Sequence, residues 1–542
     1  MVKGLANGQT LKEMFKAGTV WLEKCAPDID AINVFPIPDG DTGTNMLLTM
    51  RSALEEANRD SNDSAPSVAK AMAHGALMGA RGNSGVILSQ FWRGLAKGLG
   101  HDSFNGGDFA RALGEATQAA YQGIINPVEG TILTVLKDAA KAAEKTAKSD
   151  PDNLTFVLES AVEAARDSVA RTPDLLSVLR DAGVVDAGGQ GLYVLLNGAL
   201  HFLKGKADKI QYWKPSIVAS ESALTPKTIP ASAKIETPYG YCTSFVLEGQ
   251  NINLKKIRKE LAKKGQSLVA TGNGSLVRIH IHSFEPGEIL NYATNLGKLH
   301  EIRVDNMDDQ YIEFLKMQKE KLPITDMTIV TVASGEGFLN IFKSLGNAII
   351  VPGGQTMNPS VRQLFQAVES APSDNVILLS NNKNIILSAF QVVPLTKKNL
   401  KIIPTRTIPQ GIAATLAFSY DLNLEENARF MEQATTQVKT IEITRAVRKT
   451  WLKGLKIRKG KPIAILDDKD IIASGDEMPD VILEALEKSG TEGTKVITIY
   501  YGAEVKATEA ESIAERIRNK YKSEVEVVEG GQPHYDYIIS LE

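Results

Sequence analysis

A segment near the N-terminus, Asn33 to Asn45, concentrates the residue types that a metal and phosphate site needs. It holds two carboxylates, Asp39 and Asp41, with glycines beside them and two prolines that favour an extended approach. An apolar stretch with helical spacing follows, and its first turn offers unpaired backbone N–H groups that can bind a phosphate. Mg²⁺ prefers a few hard oxygen ligands together with phosphate oxygens. An Asp-Gly turn alone would explain part of the pattern, but the whole segment predicts a site for Mg²⁺ and a phosphate.

Three further glycine-rich segments each stand just before a stretch with helical spacing. They are Gly79–Gly85, Asn126–Thr131 and Asp186–Gly191. Glycines and a helix start allow a close backbone approach to a phosphate or ribose, although any one of these segments is equally well explained as a connector. Four such loops in one helical region predict a nucleotide site at one end of a bundle.

The region that contains these loops, residues 1–206, has apolar residues at helical spacing almost throughout. The pattern predicts an all-α barrel or bundle of eight helices. The predicted helices are Leu11–Ala26, Thr44–Asn58, Ser67–Met78, Gly85–Leu99, Phe109–Ile125, Ile132–Ala147, Asn153–Arg171 and Gly189–Leu203.

Composition and charge exclude several classes of protein. The chain has 542 residues, enough for several domains, and its formal net charge is −3, so no basic surface for nucleic acid is indicated. Two cysteines argue against a disulfide framework and favour the reducing cytoplasm. The first residues lack the apolar core of a signal peptide, and we expect no transmembrane segment.

A second group of chemically suited residues lies in the middle of the chain. Residues 207–234 read as a linker, and residues 235–322 alternate strand and helix patterns that predict a small α/β domain. Cys242 lies in one predicted strand, and His280 and His282 lie two residues apart in another, so both imidazoles face the same side. A thiolate and two imidazoles suit Zn²⁺. The alternative is a buried free cysteine beside two strand histidines.

The last region, residues 323–542, alternates short apolar strands with helical patterns and predicts mostly parallel sheets covered by helices. Glycine and polar residues follow two of its strands, in Ala333–Gly337 and Val351–Met357, where such sheets place ligands. We expect a domain that docks a partner, and a purely architectural role explains the pattern equally well.

The Asn33–Asn45 segment and the three later loops resemble the dihydroxyacetone kinase L-type domain, and the whole chain is similar to the catalytic subunits of bacterial fatty acid kinases. In outline, the C-terminal region resembles the DegV-type lipid-binding family. The resemblance implies that Asp39 and Asp41 are catalytic and hold Mg²⁺, with Asn33 nearest to a third metal ligand. The ATP contacts that it implies are Thr42, Gly43, Thr44, Asn45, Asn83, Ser84, Gly85, Gly130, Thr131, Arg171, Asp186 and Gly188.

The activity implied by the resemblance is ATP-dependent phosphorylation of a fatty acid carboxylate. A separate fatty-acid-loaded binding protein of the DegV type would present the acid, and the product would be an acyl phosphate for phospholipid synthesis. The family also implies a homodimer and favours zinc at the Cys-His-His group. A carboxylate acceptor is already ionised at neutral pH, so we assign no general base. Two other hypotheses stay open: an ATP-binding regulatory scaffold, and a kinase for dihydroxyacetone or another polyol.

Overall fold

The computed structural model describes most of the chain in two compact units. One unit contains residues 1–228, 325–369 and 373–542, and the other contains residues 229–324 and 370–372. The described residues are 5–33, 40–60, 62–124, 127–206, 218, 240–250, 252–272, 275–307, 309, 312, 315–316, 325–346, 348–355, 358–446, 450–452, 455–490, 494, 496–521 and 523–542.

The first 206 residues fold as a helical domain, as the sequence predicts. Its helices are α1 Gly8–Ile32, α2 Thr42–Arg59, α3 Ala65–Gly79, α4 Gly82–Gly98, α5 Gly106–Gln122, α6 Ile132–Ala147, α7 Leu154–Leu175, α8 Ser177–Ala182 and α9 Ala187–Leu203. All eight predicted helices are present, and α8 is a short addition between two of them. A two-residue strand pair, β1 Ala6–Asn7 with β2 Ser103–Phe104, closes the N-terminal end.

Glycines in the helices let neighbouring backbones touch. A side chain on Gly18 of α1 would collide with the carbonyl of Leu195 in α9, and one on Gly98 of α4 would collide with Ala112 in α5. Contacts of this kind hold α1 against α9 and α4 against α5 in antiparallel pairs. The hydrogen bond of Ser168 in α7 to Asp138 in α6 fixes a third antiparallel pair. This packing places the starts of α2, α4, α6 and α9 at the same end of the domain.

Little of the predicted linker is described. Val218 is its one described residue; it packs against the helical core, and its N–H donates to Gln190 Oε1 over 3.1 Å. The other residues of the predicted linker, 207–217 and 219–234, lie outside the described residues.

The middle unit is a small α/β fold. Its elements are β3 Tyr241–Glu248, α10 Leu254–Leu261, β4 Gln266–Gly272, β5 Leu276–Ser283, α11 Pro286–Thr294 and β6 Lys298–Asn306. The four strands form an antiparallel sheet in the order β4-β5-β3-β6. The sequence pattern missed both edge strands, β4 and β6; β6 is mostly exposed and carries charged residues on both faces.

The C-terminal region begins with a parallel sheet. Its elements are β7 Met327–Ala333, α12 Glu336–Ser344, β8 Ala348–Pro352, α13 Val361–Ser370, β9 Asn375–Leu379, α14 Lys383–Val392, β10 Asn399–Ile403, α15 Ile408–Leu416 and α16 Leu424–Thr435. The strand order is β10-β9-β7-β8, with every pair parallel. The predicted parallel arrangement is correct for this sheet.

A second sheet follows, and it is mostly antiparallel. Its elements are β11 Lys439–Arg445, β14 Pro462–Leu466, β15 Asp470–Ser474, α17 Met478–Lys488, β16 Val496–Tyr501, α18 Ala507–Lys520, β17 Glu524–Glu529 and β18 Tyr537–Leu541, beside a small hairpin of β12 Thr450–Leu452 and β13 Leu455–Ile457. In the order β15-β14-β11-β18-β16-β17, only β16 and β17 are parallel. The expectation of mostly parallel sheets is wrong here, because β18 enters between β11 and β16 and runs against both.

A buried ion pair joins the two sheets of the C-terminal region. Lys383 at the start of α14 donates to the carboxylate of Asp468 over 3.0 Å and to its backbone carbonyl over 2.9 Å. Asp468 stands in the β14–β15 turn, where it and Asp467 both have a positive φ. Burial raises the pKa of Asp468, and it raises the pKa of the nearby buried Glu442 well above the usual range.

Among the described residues, no helix combines the length and apolar character that crossing a bilayer requires.

Candidate functional site

The four helix starts singled out in the sequence meet at one end of the helical domain. A Cβ on Gly82, at the start of α4, would lie 2.7 Å from the side-chain nitrogen of Asn45 in α2. A Cβ on Gly191, the fifth residue of α9, would lie 2.6 Å from the sulfur of Met46. A Cβ on Gly188 would lie 3.2 Å from Ile132, the first residue of α6. The predicted nucleotide loops are therefore neighbours in space.

The start of α2 is held by a carboxylate that the sequence analysis did not single out. Asp30, near the end of α1, accepts backbone N–H groups of Gly43 over 2.6 Å and Thr44 over 3.2 Å. The hydroxyl of Thr44 donates to the other oxygen of Asp30 over 2.7 Å. These are the amides expected to face a phosphate, so an incoming phosphate would compete with Asp30 for them.

Asp41 is the described member of the predicted pair of metal-binding carboxylates. It immediately precedes α2, is only 4% exposed, and its backbone carbonyl accepts the N–H of Asn45 over 2.8 Å. Asn33 is also buried, and its N–H donates to the carbonyl of Asp30 over 3.2 Å, which ends α1 beside the start of α2. Asp39 lies outside the described residues, and Thr42 is half-buried in the first turn.

The loop before α4 contains a buried arginine within the segment that the sequence analysis selected. Arg81 is 4% exposed and stands at the N-cap position of α4. Gly82 has a φ of 55°, which a residue with a side chain adopts only with strain. Gly85 sits against Thr49 of α2, while Ser84 is half-buried and Asn83 is exposed. Asn83 makes a long hydrogen bond of 3.5 Å to Asn384 in α14.

The loops before α6 and α9 are tied to each other. Thr131 caps α6, and the N–H of Gly130 donates to Thr134 Oγ1 over 2.8 Å. Asp186 caps α9 by accepting the N–H of Gly189 over 2.6 Å, and it also accepts the backbone N–H of Ile132. One carboxylate therefore closes two helix starts, as expected for an acidic group at the positive end of a helix dipole.

Burial raises the pKa of Asp186 to about 6, although the two backbone N–H donors oppose the shift.

Arg171 is placed differently from the other predicted ATP contacts. Its guanidinium donates to Asp138 Oδ2 over 3.0 Å and is largely exposed on α7. The adjacent Thr172 reaches the nucleotide loops, since its hydroxyl accepts the N–H of Asp186 over 3.0 Å.

The three predicted zinc ligands lie together in the middle unit. Cys242 on β3 stands opposite His282 on β5. The sulfur of Cys242 is 3.6 Å from Nδ1 of His280, whose Nε2 is 3.1 Å from Nε2 of His282. All three potential ligand atoms lie within 4.8 Å of one another. Burial raises the pKa of the Cys242 thiol, and the charge of Asp305 raises it further. The donor set fits a tetrahedral zinc site with one position left over.

Comparison with known families divides the chain into three matched segments. A DAK2 domain matches residues 36–201, the middle domain of FakA-like fatty acid kinase proteins matches residues 238–314, and their C-terminal domain matches residues 328–542. The chain is 39% identical to protein YloV of Bacillus subtilis (strain 168) over 553 aligned residues that cover 99% of both chains. It is 36% identical to an uncharacterized protein of Staphylococcus aureus (strain USA300), again over 99% of both.

The matches define a protein with a DAK2 domain followed by the middle and C-terminal domains of FakA-like proteins. The chain belongs to the FakA-like family of fatty acid kinase proteins. Among solved structures, it is similar to the DegV family protein Cg2579 of Corynebacterium glutamicum, with a TM-score of 0.33, 13% identity and coverage of 40% of this chain and 98% of that one. A fatty-acid-binding DegV family protein of Thermus thermophilus gives a TM-score of 0.32, 12% identity and coverage of 40% and 100%.

Replacing Asp30 by alanine should destabilise the helical domain, because the start of α2 loses an acceptor of three hydrogen bonds. We expect the free energy of unfolding to fall by about 2 kcal/mol, the range for hydrogen bonds to a charged group. Urea unfolding followed by circular dichroism measures it. The control is Glu23→Ala on the same helix, which removes only a surface ion pair with Arg51. Equal losses of unfolding free energy in the two variants would contradict the role of Asp30 at the start of α2.

Asp186→Asn should make the chain more stable above pH 6 and leave it unchanged near pH 4. The raised pKa means that the folded state holds the proton more tightly than the unfolded state. Stability associated with the protonated group is thus present below about pH 4 and is lost as the pH rises through about 6. Asparagine caps a helix as well as aspartate does. Thermal melting at pH 4, 6 and 8 measures the difference, with the exposed Asp174→Asn as control. A pH-independent difference would refute this explanation.

Proposed function

We propose that this chain transfers the terminal phosphoryl group of ATP to the carboxylate of a fatty acid. A separate DegV-type protein presents the acid, and the product is an acyl phosphate that feeds phospholipid synthesis. The proposal is supported chiefly by one observation: four helix starts and the buried carboxylate of Asp41 converge at one end of the domain that matches the DAK2 family. Family membership supports the fatty acid as the substrate class.

The residues present suit a magnesium nucleotide. Buried Asp41 stands where the amides of α2 begin and offers hard oxygen ligands, and by sequence Asp39 and Asn33 are the further candidate ligands. Bound Mg²⁺ would neutralise charge on the phosphate oxygens. The chain's own part is to hold the phosphates at the helix starts, where Gly43, Ser84 and Gly188 leave little bulk near the backbone.

The chemistry of the acceptor explains why the site needs no general base. A carboxylic acid with a pKa near 4 is ionised at neutral pH and attacks phosphorus without losing a proton. Phosphoryl transfer then depends on positioning and on electrostatic stabilisation of the transferring group. Backbone N–H groups and metal-binding carboxylates supply both, so the lack of an assigned base is consistent with this acceptor.

ATP consumption by the purified chain should require Mg²⁺ and a fatty-acid-loaded DegV-type protein, and hydroxylamine should trap an acyl phosphate. Asp39→Ala and Asp41→Ala should each lower turnover on the order of 100-fold or more, because the phosphate charge loses its metal support. The control is Asp63→Ala, at an exposed position, which should not lower turnover. Nucleotide binding without turnover would favour a regulatory scaffold instead. Turnover with dihydroxyacetone would favour a polyol kinase. Normal activity in both variants would remove the metal-ligand assignment.

We also propose that Cys242, His280 and His282 bind Zn²⁺. The support is that the three potential ligand atoms lie within 4.8 Å of one another and form a donor set that zinc prefers. Two of the ligands come from one strand and the third from its neighbour, so the site would clamp the two central strands of the sheet together.

Purified wild-type protein should contain zinc close to one equivalent per chain, whereas Cys242→Ser and His280→Ala should lose most of it. Elemental analysis after gel filtration measures the content. His300→Ala is the matched control: this histidine is in the same sheet but is exposed and pairs with Glu248. Zinc-free wild-type protein, or equal loss in the control, would rule out the site.

A further inference from the structure

A residue of the C-terminal region hydrogen-bonds to the predicted metal ligand. The side-chain amide of Asn358 donates from Nδ2 to Asp41 Oδ2 over 2.5 Å, across 317 positions of sequence. Asn358 is 2% exposed and Asp41 is 4% exposed. The contact is therefore buried, and in a low-dielectric setting a hydrogen bond to a carboxylate is stronger than one in water.

Two further hydrogen bonds tie Asn358 and the chain just after it to the helical domain. The guanidinium of Arg81 donates from Nη1 to the backbone carbonyl of Asn358 over 2.8 Å. The N–H of Val361 donates to the carbonyl of Ala80 over 3.2 Å. Both partners belong to the loop before α4, one of the predicted nucleotide loops. On the other side, Ser360 and Gln363 exchange hydrogen bonds at the start of α13 and fix the chain that follows Asn358.

The other end of the same amide is unsatisfied. Among the described residues, Oδ1 of Asn358 is a buried acceptor without a hydrogen-bond partner. A buried acceptor left unpaired is destabilising, so such groups in native proteins usually have a role. An amide that is bonded to Asp41 at one end has its carbonyl oxygen within reach of whatever Asp41 binds. Mg²⁺ usually keeps several waters, and these are donors.

We propose that Asn358 is a positioning residue of the kinase site. Its Nδ2 fixes the orientation of the Asp41 carboxylate, and its Oδ1 accepts a hydrogen bond from a water bound to Mg²⁺. The C-terminal region thus completes the metal site of the helical domain. This inference rests on the proposed function, because it takes Asp41 to be a Mg²⁺ ligand. Hydrogen-bonded neighbours of this kind orient metal-binding carboxylates in other proteins.

The same interface supplies a matched control. Helices α4 and α14 also meet through Gln90 and Gln391, whose side chains are 3.3 Å apart. This pair lies seven residues further along both helices than the Asn83–Asn384 pair, so the two helices run side by side in the same direction. Gln391 contacts the helical domain without a hydrogen bond to Asp41 in the described structure.

The test compares Asn358→Ala and Asn358→Leu with Gln391→Ala in the full-length chain. The leucine variant keeps the buried volume, and both variants keep the backbone carbonyl that Arg81 binds. Binding of Mn²⁺ with a non-hydrolysable ATP analogue is titrated by electron paramagnetic resonance, and thermal melting checks the fold. The Mn²⁺ dissociation constant should rise about 10-fold in both Asn358 variants and stay unchanged in Gln391→Ala. Turnover lost at low Mg²⁺ should recover at high Mg²⁺.

Three results would overturn the proposal: unchanged Mn²⁺ affinity in both Asn358 variants, the same loss in Gln391→Ala, or tighter Mn²⁺ binding. Tighter binding would mean that Asn358 competes with the metal and inhibits the site. Failure of the proposed function is separable from these results. A wild-type chain that binds Mn²⁺ and nucleotide but phosphorylates no acid refutes the kinase activity, whereas the difference in metal affinity still decides the role of Asn358.

Discussion

Close helix packing through glycines is the constraint on which the rest of the structure depends. Gly18 and Gly98 leave no room for a side chain between neighbouring backbones, so α1 lies against α9 and α4 against α5 at backbone contact. Contacts this close fix the helices along their axes as well as side by side. Because the pairs are antiparallel, alternate helices start at one end, and their unpaired N–H groups are concentrated there. The site is thus a consequence of how the bundle packs.

Because four helix starts lie together, positive partial charge is concentrated at this end of the domain. Carboxylates of the chain offset part of that charge. Asp30 caps α2, and Asp186 caps α9 while reaching α6. Burial raises the pKa of Asp186 to about 6, a sign that even these favourable donors do not replace the water that the carboxylate loses. Nucleotide phosphates would add further negative charge beside Asp30, Asp41 and Asp186. A bound cation resolves that repulsion, which is the physical reason to expect metal and nucleotide to bind together.

Sequence alone revealed what depends on local pattern. Helical spacing located the eight long helices, and the His-x-His spacing with Cys242 located three side chains that the fold brings together. Contacts between residues on different elements produce no local pattern in the sequence. Asp30 precedes Gly43 by 13 residues on another helix, and Asn358 is 317 positions from Asp41. The antiparallel second sheet was missed for the same reason, since strand direction follows from where β18 inserts and not from its apolar run.

If Asp41 binds the metal as proposed, its hydrogen bond to Asn358 would couple metal binding to the contact between the helical domain and the C-terminal region. If the orientation of Asp41 by Asn358 strengthens metal binding, bound metal must strengthen the domain contact by the same free energy. Coupling between two binding events is reciprocal. The contacts named between α4 and α14 are neutral amide pairs at 3.3–3.5 Å, individually weak. The buried bonds of Asn358 to Asp41 and Arg81 are shorter and involve charged groups. Among the polar contacts named here between the described residues of the two domains, the strongest therefore lie at the proposed metal site, where binding of the metal would act directly on them.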